Sequence, residues 1–102
     1  MTAEAATLAV RVRFMGDLIA VVGRRTLDVD LPRGCTVGDL LALLSESYGE
    51  AFTSRVFAGP AELEHTILVF VGGESIEEQD GLATKLGGGE VEVIMLPMFG
   101  GG

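Results

Sequence analysis

Residues 26–49 read TLDVDLPRGCTVGDLLALLSESYG. Leu27, Val29 and Leu31 alternate with Asp28 and Asp30, the period of a strand with one wet face. Pro32 and Gly34 then break it. Thr36, with Asp39 three residues later, has the spacing of a helix capping box. Val37, Leu40, Leu41, Leu44 and Tyr48 follow at helical spacing as one apolar stripe, and Gly49 is placed to end the helix. A strand that passes directly into a one-sided helix must bury both apolar faces in a shared core.

Upstream, LAVRVRF (8–14) is a second alternating strand, with Leu8, Val10, Val12 and Phe14 on one side and Arg11 and Arg13 on the other. Arginines on this strand and aspartates on the next suit cross-strand charge pairs. The stretch between, MGDLIAVVGRR (15–25), reads as a hairpin connection longer than a tight turn. Downstream, residues 50–66 are mixed. Phe52, Val56 and Phe57 read as a short turn that plugs the core, and GPAELEHT (59–66) as a loop. ILVFV (67–71) is an uninterrupted apolar run, which predicts a strand covered on both faces. Gly72-Gly73 is a sharp turn into ESI. EEQDGLATKL (77–86) is a polar connection anchored by Leu82 and Leu86. Gly87 to Gly89 form a turn, EVEVIML (90–96) is the last strand, and Pro97 ends its pairing. The order β-β-α-β-(short β)-β predicts an α+β fold: a β-grasp, ubiquitin-like mixed sheet packed on one main helix. The expected layout is a mobile lead-in over residues 1–7, the β-grasp domain over 8–97 and a flexible glycine tail over 98–102.

Bulk properties narrow the function. The chain has 102 residues, 48% of them hydrophobic, a length and composition that suit one domain with a real core. A net charge of −8 leaves no basic stripe for nucleic acid, and suits a partner with a basic docking surface. One cysteine, Cys35, excludes an internal disulfide or a cysteine-rich metal site. No apolar run reaches spanning length and no signal-peptide layout is present, so a cytoplasmic protein without membrane contact is the expectation. His65 has no second ligand nearby, and the glycines at 72–73 lack the lysine and helix of a phosphate loop. Glu74, Glu77, Glu78 and Asp80 read as a solvated face. With no acid, base or metal set in view, the chain reads as no enzyme on its own.

The stretches VRVRF, TLDVDLPRGCTVGDLLALL, ILVFVGGESIEEQDGLATKL and EVEVIMLPMFGGG, which together span the chain from its first strand to its end, resemble the ThiS/MoaD family of ubiquitin-like sulfur carriers. Within it the likeness is to the molybdopterin synthase small subunit and the archaeal small modifier proteins. Members end in Pro, small or apolar residues and Gly-Gly; Pro97, Met98, Phe99, Gly100, Gly101 and Gly102 stand in those places. A second Pro and then Val or Ala are usual where this chain has Met98 and Phe99, and an Asp-Gly-Asp turn is usual where it has Gly87 to Gly89.

The resemblance implies that the Gly102 carboxylate is adenylated by a ubiquitin-activating-type enzyme using ATP, with no cofactor bound tightly by the chain itself. Sulfur then displaces AMP to leave a thiocarboxylate. Gly101 and Gly102 carry no Cβ to crowd such a site, Gly100 lengthens the thin segment, and Met98 and Phe99 dock. It further implies delivery of sulfur beside the large subunit of molybdopterin synthase, which would bring the catalytic lysines. Conjugation of Gly102 to target-protein lysines is an alternative, as is sulfur supply to tRNA, thiazole or cysteine synthesis. A flat apolar patch near the last strand is expected to serve both the activating enzyme and the large subunit. Cys35 could in principle carry sulfur, but a structural or incidental role is the expectation.

Overall fold

The computed structural model describes residues 7–16, 18–59, 62–87 and 89–95. The lead-in at residues 1–6 and the tail residues Pro97, Met98, Phe99, Gly100, Gly101 and Gly102 lie outside the described residues.

Strand β1 (Thr7–Gly16) alternates as its sequence demands: Leu8, Val10, Val12 and Phe14 are buried, with Arg11 exposed between them. It pairs antiparallel with β2 (Thr26–Pro32), and Arg11 stands directly opposite Asp28. The connection between them is not plain loop. It contains helix α1 (Leu18–Val22), which buries Leu18 and Val22. Burying a fully enclosed leucine contributes about 1.5–3 kcal/mol, enough to fold a short connection down onto the core.

Helix α2 (Val37–Tyr48) starts at the expected capping box. The Asp39 N–H donates to Thr36 Oγ1 at 3.2 Å, and the Thr36 N–H donates to Asp39 Oδ2 at 3.0 Å. Two otherwise orphaned donors are thus satisfied reciprocally. Val37, Leu40, Leu41 and Leu44 are buried, and Tyr48 packs partly against the same core. The expected turn at residues 52–57 is a third helix, α3 (Glu50–Val56), whose Phe52 and Val56 are wholly buried. The loop expected over 59–66 includes a small separate sheet of β3 (Phe57–Gly59) and β4 (Glu62–Leu63). Strands this short bury too little to leave an alternating pattern.

Strand β5 (Ile67–Val71) turns through Gly72 and Gly73 into β6 (Glu74–Ser75). Both glycines have positive φ, 63° and 88°, which a two-residue hairpin loop requires and other residues resist. Two 3₁₀ turns, Ile76–Glu78 and Gly81–Ala83, fill the polar connection. It is stapled over the start of α2: the Val37 N–H donates to the Thr84 carbonyl at 2.9 Å, and the Leu86 N–H to that of Cys35 at 2.9 Å. Leu86 is buried and Leu82 partly so, as anchors should be. Gly38 makes the close approach possible, because a Cβ there would meet the Leu82 carbonyl at 3.3 Å.

The last strand, β7 (Gly89–Met95), begins within the glycine run. The main sheet runs β2-β1-β7-β5-β6, with β7 parallel to β1 and antiparallel to β5. Buried residues of these strands and of all three helices form one apolar cluster. A mixed sheet whose first and last strands lie parallel at its centre, closed on one face by a main helix, is the expected β-grasp.

Candidate functional site: the open sheet face at the end of the last strand

Alternation along β7 sends Val91 and Val93 into the core and leaves Glu90, Glu92 and Ile94 on the other face. Ile94 lies opposite Met15 of β1 and Leu68 of β5. Phe70 is one row back, opposite Glu92. Met15, Leu68, Phe70 and Ile94 are all half-exposed. They make an apolar corner at the end of the sheet towards which β7 runs.

This corrects one expectation: β5 is not covered on both faces. Ile67 and Val69 are buried at 3% and 1% exposure, whereas Leu68 and Phe70 stay open to the outside. The uninterrupted ILVFV run records a core on one side and a half-exposed apolar surface on the other.

Beyond the corner the face becomes charged. Arg13 reaches Glu92 at 3.4 Å and Glu90 at 3.9 Å, across to β7 rather than to the aspartates of β2. Arg11 donates to Asp28 at 2.9 Å, and this hydrogen bond, followed by the Asp28 charge, raises the Arg11 pKa above its ordinary value. Such exposed pairs specify register and surface character more than stability. The border between apolar and charged surface runs through the Glu92 row, with Arg13 on one side of Glu92 and Phe70 on the other.

The remaining candidates scatter. Cys35 is half-buried and packs against the core at the foot of α2. His65 is exposed, with Nδ1 3.8 Å from Glu64 and no other titratable group within ion-pair range among the described residues. Glu74, Glu77, Glu78 and Asp80 are exposed. Among the described residues, no group of three or more His, Cys, Asp or Glu side chains is placed to hold a metal ion, and no helix is long and apolar enough to cross a membrane. The tail residues Pro97 to Gly102 lie outside the described residues. The corner residues Met15, Leu68, Phe70 and Ile94 are those that sequence reasoning did not single out. Leu68 and Phe70, alternate residues in the uninterrupted run, were its available signal.

No family model matches the chain. A curated relative from Archaeoglobus fulgidus, named "Putative sulfur carrier protein", is 32% identical over 95 residues, which is 93% of this chain and all of that one. The chain belongs to the ThiS/MoaD-type family of ubiquitin-like sulfur carriers. Solved structures agree with this family fold. The HVO 2177 protein of Haloferax volcanii superposes with a TM-score of 0.80 at 27% identity, covering 93% of this chain and 89% of that one. Small archaeal modifier protein 1 of the same organism superposes with a TM-score of 0.75 at 31% identity, covering 88% and 99%. The sulfur-carrier family thus includes proteins named as carriers and proteins named as modifiers.

Proposed function

We propose that this chain carries sulfur on its Gly102 carboxylate and delivers it in molybdopterin synthesis as the small subunit of the synthase. A ubiquitin-activating-type enzyme would condense the carboxylate with ATP, releasing pyrophosphate and leaving an acyl adenylate. The terminal sulfur of a persulfide donor would then displace AMP to give an acyl disulfide, and attack of a thiol on the donor's sulfur would break the S–S bond, leaving the thiocarboxylate and a new disulfide. A free carboxylate is a poor electrophile, and the adenylate divides one hard substitution into two easier ones. The domain's part is placement: the enzyme excludes water, and the narrow Gly100–Gly102 segment brings a carboxylate oxygen in line with the α-phosphate.

The observation that carries this proposal is the apolar corner of Met15, Leu68, Phe70 and Ile94 beside the end of β7, the strand that leads into residues 96–102. An activating enzyme or a large subunit seated there would be next to the segment it must receive. One tail cannot occupy two pockets, so the two partners should compete. The test is the intact mass of protein purified from its native cells with thiols protected. Replacement of one oxygen by sulfur, mapped to Gly102, is the expected result. A free acid that persists after incubation with activating enzyme, ATP and sulfur donor would overturn the proposal.

The likeness to small archaeal modifier protein 1 favours a second role, conjugation of Gly102 to target lysines through an isopeptide bond. Its test is a glycine remnant of this tail on lysines of cellular proteins. The two roles share the adenylate and are compatible.

A further inference from the structure

We propose that the outer edge of β2 is a docking site for an extended segment of another protein in which basic and apolar residues alternate. It is separate from the apolar corner and does not depend on the tail chemistry.

The free edge follows from the hydrogen-bond register. The Phe14 N–H donates to the Arg25 carbonyl at 2.8 Å, in line with the β1–β2 pairing of Arg13 with Thr26. In an antiparallel pair, bonded and non-bonded rows alternate. Val12–Leu27, Val10–Val29 and Leu8–Leu31 are therefore the bonded rows, and their β2 backbone groups point towards β1. The N–H and C=O groups of Thr26, Asp28 and Asp30 point the other way. Strand β2 is outermost in the sheet, and among the described residues no strand lies beyond these groups and no hydrogen bond takes them up. The Pro32 nitrogen faces the same way, where its missing N–H costs nothing, and its carbonyl accepts from the Cys35 N–H at 3.3 Å. From Thr26 to Asp30 a ladder of roughly 13 Å stands open to strand addition.

The side chains beside this ladder define its occupant. On the open face, Asp28 is already joined to Arg11, but Asp30 lies opposite Ala9, which offers no charge. A shallow depression of about 560 Å³ is lined there by Ala9, Arg11, Asp28, Asp30 and Glu90, with three carboxylates against one guanidinium. On the inner side, Leu27 and Val29 are only half-buried. An added strand would meet acids with one set of its alternating side chains and apolar surface with the other. Strand β1, with its Val-Arg alternation, already meets β2 in this way from within. A second copy of β2 would set aspartates against aspartates, so the charge selects a basic partner.

The experiment is amide hydrogen exchange on the full chain, with a blocked peptide of alternating arginine and valine, three of each. At a peptide concentration of about twice its dissociation constant, exchange at Thr26, Asp28 and Asp30 should slow about threefold. The outward-facing amides of β2, which have no partner within the sheet, should be fast without peptide, whereas those of Leu27 and Val29, bonded to β1, should be slow both with and without it. Asp30→Asn, an exposed change that leaves the fold intact, should weaken binding about threefold, and salt should weaken it further. Equal protection by the matching glutamate–valine peptide would overturn the proposal, as would no protection by the arginine peptide. Protection that appears on raising the protein concentration alone would also overturn it, in favour of self-pairing.

Discussion

Leu68 and Val69 are adjacent on β5 and face opposite ways, so the same substitution at each should have opposite consequences. Val69 is 1% exposed within the core. Aspartate there loses the apolar burial and puts an unpaired carboxyl among aliphatic side chains, a cost of about 4 kcal/mol or more. A domain of this size has about 5–15 kcal/mol in all, so Val69→Asp should be largely unfolded or close to it. Leu68 stands on the open face opposite Ile94. Leu68→Asp gives up one cross-strand apolar pair, about 0.2–1 kcal/mol. Urea unfolding followed by circular dichroism separates the two, since the chain has one tyrosine and no tryptophan to follow by fluorescence. With a slope of about 1.5 kcal/mol per molar urea, Leu68→Asp should lower the midpoint by less than about 0.7 M. The folded variant should then fail to dock. An unpaired charge at the centre of an apolar contact costs about 2–3 kcal/mol, or about 30- to 150-fold in the carrier concentration that half-saturates ATP–pyrophosphate exchange by the activating enzyme. Equal destabilisation by the two variants would show that the corner is not open. Unchanged half-saturation with Leu68→Asp would show that the corner is not where the enzyme sits.

Deleting Gly102 should abolish thiocarboxylate formation by mass spectrometry while the urea midpoint stays at its wild-type value. Phe99→Asp should weaken binding both to the activating enzyme and to the synthase large subunit, measured by titration calorimetry; normal binding to both would remove Phe99 from the site. Thr36→Ala breaks the capping box and should cost about 1 kcal/mol, lowering the melting temperature by about 4–8 °C. Phe52→Ala should cost about 3–5 kcal/mol by denaturant titration, as expected of a ring that α3 holds fully inside the core.

What was legible in the sequence depended on length and on contrast. The first two strands and α2 each carry enough alternating or helical positions to show their period, and the cap at Thr36–Asp39 marks where one period changes to the other. Helix α1 was hidden because LIAVV is uniformly apolar and too short to show a face. In α3 the only core residues are Phe52 and Val56, four apart, a single turn that equally fits a plug without a helix. The apolar corner was hidden for a related reason. A strand face is read as exposed when its residues are polar, and Leu68 and Phe70 are not, so their face passes for core until the sheet shows nothing over it among the described residues. The glycine-rich stretch at residues 100–102 stands out by composition, but that β7 lies at the centre of the sheet is visible only in the fold.

That central position also governs timing. The bridge from Arg13 to Glu92 joins residues 79 positions apart, so β1 waits in synthesis for β7. Until β7 emerges, β1 and β5 have no common neighbour and the core lacks Val91 and Val93. Non-local pairing of this kind slows folding, and on a ribosome it postpones closure of the sheet until β7 has emerged. A chain cut short before β7 would lack the central strand of its sheet and with it the folded body. Failed synthesis therefore yields an unfolded fragment for disposal, rather than a folded decoy.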